Sequence, residues 1–250
     1  MVMPYRLLFI AIVSALAFVG TVVQPTAGAE IPTAQREAIE GIVHDYLLKN
    51  PDVLIEALRG AEDKLNREAD AKAATALDDR HSEIFDDPTA PIGGNPQGNV
   101  TIVEFFDYRC PYCKQVLPTL QTLLKEDHQL RFVYKEMPVL GQPSLVAAHA
   151  ALAAQRQGKY EAFHVAMMAT KGQITEETVY KVAGSVGLDV ERLKRDMAAP
   201  EIDQTLKANL ALAEALNIRG TPGFVIGKHI VPGALDLDAL KNMIADARKG

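Results

Sequence analysis

The chain has 250 residues, 48% of them hydrophobic, and a formal net charge of −6. That is apolar material for one well-packed domain with an appendage, or for two small domains. The moderate negative balance and the lack of a long basic run argue against a nucleic-acid partner.

Arg6 gives a short positive start, Leu7 to Val23 is apolar and free of charge, and Ala27-Gly28-Ala29 offers a small-x-small cleavage site before Glu30. This pattern predicts a signal peptide over residues 1–29, cleaved near Ala29, and a mature protein outside the cytoplasm. The rival is an uncleaved membrane anchor, because Leu7–Val23 approaches the length that spans a bilayer.

Residues 30–85 read as a helical arm. Thr33 is placed to cap a helix with Ile39, Ile42, Val43, Tyr46 and Leu47 on one face. Asn50-Pro51 reads as an N-cap followed by proline at the first helical position. Leu54, Leu58, Ala61 and Leu65 then form a short apolar seam suited to pairing with another helix. The bland alternative is that the arm packs on its own domain.

Residues 86–250 read as the main domain. The stretch from Asp86 to Asn99 is rich in Pro, Gly, Asn and Asp and is expected to be a connection. Val100–Phe106 is an apolar, β-branched strand, and Cys110–Lys125 is helical in period, with Pro118 expected to bend it. Leu130–Glu136 is a second strand, and Ser144 to Leu216 is almost wholly helical in pattern. Within that block Gly158, Gly172 and Gly187 read as stops, and Thr175 and Asp189 as caps. Phe224–Ile226 and His229–Val231 flank Gly227-Lys228 as a hairpin, and Asp236 caps a last helix, Leu237–Lys249. Removing the helical insertion, about 139–217, leaves βαβ followed by ββα. The fold class is therefore α/β: a thioredoxin-like fold with an inserted helical domain, preceded by the N-terminal arm.

The two cysteines, Cys110 and Cys113, lie between a strand and a helix start. Exported proteins use cysteine pairs as staples, but closing so short a loop stabilises by only about 2 kcal/mol. One helical turn brings the two sulfurs within bonding reach, with the first left at the unpaired N–H groups of the helix start, where a thiolate is favoured. Pro111 suits the first helical position. Cys110 is expected to be the exposed nucleophile of low pKa, and Cys113 the shielded resolving thiol. A zinc site needs about four ligands where a lone CxxC supplies two. Cuprous ion accepts two thiolates, so copper binding stays open as an alternative. His149 and Met137 invite a metal reading, but His149, among alanines on a helical pattern, reads as a packed or half-exposed histidine and the Met167-Met168 pair as core filler, so no metal ligand is assigned.

Arg219-Gly220-Thr221-Pro222-Gly223-Phe224 precedes an apolar strand and by itself is a turn. Taken with Val103-Glu104-Phe105-Phe106-Asp107-Tyr108-x-Cys110-Pro111-Tyr112-Cys113 and the helical insertion, it resembles the DsbA family of periplasmic thiol–disulfide oxidoreductases over about residues 95–250. The arm resembles that of the ScsC-type branch, associated with copper tolerance, in which it is thought to mediate self-association. The resemblance implies periplasmic localisation, dithiol–disulfide exchange on protein substrates, a membrane redox partner, no organic cofactor and a homo-oligomer such as a trimer. It also implies that Pro222 is cis and faces the disulfide, that Thr221 touches substrate, and that Glu104 relays a proton to Cys113. The strongly oxidising DsbA prototype has His as the second residue between its cysteines and Val before the cis-proline. Here Tyr112 and Thr221 stand at those places, and Thr resembles the disulfide isomerases and reductases. An isomerase or reductase is the leading expectation, with a monomeric dithiol oxidase as the same-class rival.

Alternation along Val100–Phe106 places Glu104 with Ile102 and Phe106 on one side, where an acid among apolar residues is expected to be buried with its pKa raised. Lys135 on the neighbouring strand is a candidate partner for it.

Overall fold

The computed structural model describes residues 32–249, so the signal peptide expected over residues 1–29 lies outside the described residues. The chain divides into two compact units, one up to Arg59 and one from Gly60 to Gly250.

In the first unit, α1 (Thr33–Lys49) buries none of its residues. Pro32, not Thr33, holds its N-cap position, and no side-chain cap bond forms. Thr33 is already helical, so its hydroxyl stands one residue too late to cap. Asn50 closes the end of α1, its Nδ2 donating to the Tyr46 carbonyl at 2.8 Å. Pro51 is the first residue of α2 (Pro51–Asp79). Ile42, Tyr46, Leu54 and Leu58 are all exposed in the single chain.

The second unit is built on a five-stranded sheet in the order β1-β3-β2-β4-β5. The strands are β1 (Ile92–Gly94), β2 (Val100–Phe106), β3 (Leu130–Glu136), β4 (Gly223–Ile226) and β5 (His229–Pro232). β2 runs parallel to β3 and antiparallel to β4, which makes it the central strand. β1 was not expected within the connecting stretch. It is three residues long with two glycines, too short for an alternation signal. Gly94 is required there, since its φ is +66° and a Cβ would meet the Leu130 carbonyl oxygen at 2.6 Å.

The helix α4 (Pro111–Glu126) follows β2 and runs through Pro118 as one helix. Between β3 and β4 come α5 (Gln142–Gln155), α6 (Tyr160–Met168), α7 (Glu176–Ser185), α8 (Val190–Met197) and α9 (Pro200–Ala215). Thr175, Asp189 and Asp236 each accept a backbone N–H as the N-caps of α7, α8 and α10 (Leu237–Ala247). The β4–β5 hairpin pairs Ile226 with His229 across Gly227-Lys228.

Alternation divides the core by sheet face. Ile102, Phe106, Phe132 and Phe224 pack with α4, α5 and α6. Val103, Phe105, Val133 and Val225 point the other way, onto Leu77, Ile84 and Phe85 from α2 and α3 (His81–Phe85), and onto Leu212 of α9.

Candidate active site

The chain leaves β2 at Phe106, turns through Asp107 and enters α4 with Cys110 as the N-cap. Cys110 is extended, at φ −70° and ψ 119°, which swings its side chain back over the first turn. Its Sγ accepts from the Cys113 N–H at 3.3 Å, so a sulfur takes the role usually given to a hydroxyl. Both cysteines are free thiols.

Cys110 is 3% exposed, not the open thiol expected from sequence. The cause is the segment before β4. The Thr221–Pro222 bond is cis, and the Cys110 S–H donates to the Thr221 carbonyl at 3.1 Å, which lids the sulfur. Tyr112, between the cysteines, projects outward and is 60% exposed.

Glu104 is 2% exposed on the central strand, between Tyr134 and Phe224 in register. Burial raises its pKa to about 8. Burial also pushes the Cys113 thiol far up, and the Glu104 charge adds to that rise. The expected partnership of Glu104 with Lys135 does not occur. Lys135 pairs in register with Phe105, so its side chain leaves the opposite face of the sheet. There its Nζ lies 2.6 Å from Asp87 Oδ2.

Asp107 ties the CxxC turn to the loop after β3. Its Oδ1 accepts from the Arg109 N–H and the Ser144 hydroxyl, each at 2.7 Å. Its Oδ2 accepts from the Val139 and Leu140 N–H groups at 2.9 and 3.0 Å. Arg109 also donates through Nη1 to the Leu140 carbonyl. Four donors on one carboxyl group, itself 1% exposed, fix two loops against each other. Tyr108 and Tyr160 donate to Glu136 Oε1 at 3.0 and 2.7 Å, and Tyr108 also meets His164 Nδ1 at 3.2 Å.

The sequence reading missed Asp107, Tyr108, Glu136 and His164. An Asp three residues before the helix N-cap was a legible turn signal. The pairing of Glu136 with two tyrosines was not legible, because Tyr108 and Tyr160 lie 28 and 24 residues from it along the chain. His149 is a packed residue, its Nδ1 3.0 Å from the Met197 carbonyl and its Nε2 3.2 Å from Asp203. Met137, Met167 and Met168 are core residues. Among the described residues, no group of three or more His, Cys, Asp or Glu is arranged to hold a metal ion.

Residues 101–245, more than half of the chain, match the DSBA-like thioredoxin domain family. The chain belongs to this DsbA-like family. Residues 35–60 match the N-terminal domain of copper resistance protein ScsC. A thioredoxin-like oxidoreductase from Silicibacter pomeroyi DSS-3 is 48% identical, with a TM-score of 0.67 over 68% of this chain and 98% of that one. A linker-deletion mutant of Proteus mirabilis ScsC is 28% identical, with a TM-score of 0.66 over 88% of this chain and 98% of that one. Among curated proteins, the Na(+)/H(+) antiporter NhaA 1 of Salinispora arenicola is 27% identical over 161 residues, 64% of this chain. The DsbA-like chain spans only 25% of that protein's length. A probable disulfide bond formation protein D from Bacillus anthracis is 26% identical over 66% of this chain and 82% of its own length.

Proposed function

We propose that this DsbA-like protein is an exported, periplasmic thiol–disulfide oxidoreductase that reduces and re-pairs disulfides in protein substrates. The observation that carries the reading is the placement of Cys110 Sγ, held by the Cys113 N–H at 3.3 Å and facing the Thr221 carbonyl at 3.1 Å. A sulfur at a helix start attacks as a thiolate, because unpaired N–H groups favour its charge.

Cys110 attacks one sulfur of the substrate disulfide and forms a mixed disulfide, and the other substrate sulfur leaves as a thiolate and takes a proton from solvent. Thr221 and Pro222 lie where the incoming chain meets Cys110 Sγ. Cys113 gives its proton to the Glu104 carboxylate and then attacks Cys110 Sγ. This expels the second substrate thiolate and closes the Cys110–Cys113 disulfide. Two electrons pass from the dithiol to the substrate. Glu104 suits the proton transfer because burial brings its pKa to about 8.

Two features favour isomerase or reductase over oxidase. Tyr112 brings no positive charge beside the dithiol, and the thiolate form is that much less favoured. The arm exposes Ile42, Tyr46, Leu54 and Leu58 in the single chain, and self-association would bury them. An oligomer gathers several dithiols around one substrate, and its arms hinder a membrane partner that must reach each site. The matched segment 35–60 contains His44 but no Cys or Met, which leaves the two thiols as the candidate cuprous ligands.

The test is re-pairing of a scrambled multi-disulfide protein by the full-length chain, with the redox state of its cysteines read in cells. The reading expects re-pairing and a mainly reduced pair. A mainly oxidised pair without re-pairing assigns an oxidase instead.

A further inference from the structure

A small cavity of about 20 Å³ lies between β2, β3, α4 and α6, lined by both Glu104 and His164. That is room for one water molecule. The other polar groups lining it are Gln121, Tyr134 and Glu161.

The tautomer of His164 follows from its neighbours. Tyr108 gives its one hydroxyl proton to Glu136 Oε1 at 3.0 Å. In the 3.2 Å contact between that hydroxyl and His164 Nδ1, the proton must therefore come from Nδ1. Nε2 is left as a bare lone pair. It is buried and has no partner within the protein. A buried acceptor left unmet is destabilising, and a donor in the cavity would satisfy it. Burial holds the imidazole well below its ordinary pKa, at about 3, so the ring is neutral. Burial is what raises the Glu104 pKa.

We propose that a water in this cavity joins the Glu104 carboxyl group to His164 Nε2, so that His164 positions the acid that serves Cys113. The proposal rests on the reading of Glu104 as that acid. The water donates one O–H to the bare Nε2 lone pair, which the protein leaves without a partner. On its other side it donates to the Glu104 carboxylate or accepts from the protonated acid, so the bridge persists while Glu104 takes and returns the Cys113 proton. The ionisable groups facing Glu104 are Cys113 from α4, Tyr134 and Glu136 from β3, and Glu161 and His164 from α6. No Lys or Arg lines the cavity.

The test is nitrogen NMR of His164 in the full-length protein labelled at histidine. The proposal expects the Nδ1–H tautomer in the reduced protein. It also expects an Nε2 signal that follows the Glu104 titration near pH 8 and stops doing so in Glu104→Gln. An Nε2–H tautomer in the reduced protein, or an Nε2 signal indifferent to that titration, overturns it. In kinetics, His164→Phe should slow resolution of a mixed disulfide by Cys113 roughly tenfold, and His164→Gln, which keeps a polar end, should slow it less. If His164→Phe does not fold, the NMR of the unaltered protein decides. If Glu104→Gln resolves mixed disulfides at the unaltered rate, the reading of Glu104 falls and the role of the water bridge with it. A slow Glu104→Gln with an indifferent Nε2 overturns the water bridge alone.

Discussion

Cys110 Sγ and the Thr221 carbonyl oxygen lie 3.1 Å apart, although 111 positions separate the two residues in the chain. The contact brings the end of β2 and the start of β4, neighbours in the sheet, to bear on one sulfur. It covers Cys110 but leaves it next to the surface, whereas Cys113 lies a turn inside α4.

Thiol reactivity should divide along that line. Burial and the Glu104 charge raise the Cys113 thiol, so the lone thiol of a Cys110→Ser variant should stay protonated at neutral pH. Alkylation of folded Cys110→Ser should be at least roughly tenfold slower than that of Cys113→Ala, and should reach the same rate in denaturant. Intact mass against time at pH 7.5 measures both.

Glu104 should weaken the fold as pH rises. Its pKa is about 8 when folded, against an ordinary carboxylate value of 4.5. Between those two values the unfolded chain releases a proton that the folded one keeps, so stability falls with pH across that window and levels off above it. Glu104→Gln removes this loss. The variant should be more stable than the parent by on the order of 2–4 kcal/mol at pH 8, with the gap shrinking toward zero near pH 4.5. Urea unfolding of the reduced proteins across that range measures the gap, and a gap that does not change with pH contradicts the account.

Asp107→Asn should cost roughly 2–4 kcal/mol, because an amide has one acceptor oxygen for four donors and brings two N–H groups of its own. Ser144→Ala removes one of the four and should cost about 1 kcal/mol. Thermal unfolding of the two variants checks the order.

The dithiol and its strand–turn–helix setting were legible because they are local. A Cys-Pro-Tyr-Cys run after an apolar strand reports its own geometry. The insertion was legible from periodicity and from the caps Thr175 and Asp189, both of which form. The side of β2 that carries Glu104 followed from alternation, and the same rule applied to β3 would have sent Lys135 away from it. That inference needed the register between the strands, which neither strand encodes alone. The cover over Cys110 and the cluster of His164, Tyr108 and Glu136 depend on contacts between distant segments, and single-sequence patterns carry none of these.

Deleting the residues up to Arg59 should leave the second compact unit folded and monomeric, with its dithiol chemistry intact. The full-length chain should run as an oligomer by light scattering, since burying each leucine of the seam stabilises by roughly 1.5–3 kcal/mol. The shortened chain should lose re-pairing of scrambled substrates and become easier to oxidise. A monomeric full-length chain, or re-pairing unchanged by the deletion, contradicts the role given to the arm.

The most direct test of the central claim is the intact mass of Cys113→Ala after mixing with a scrambled disulfide-bonded protein. Without the resolving thiol, attack by Cys110 should stop at a covalent adduct. The account predicts one substrate chain per protein, linked through Cys110, released by reductant and absent from Cys110→Ser. No adduct with Cys113→Ala, or an equal yield from Cys110→Ser, would contradict it.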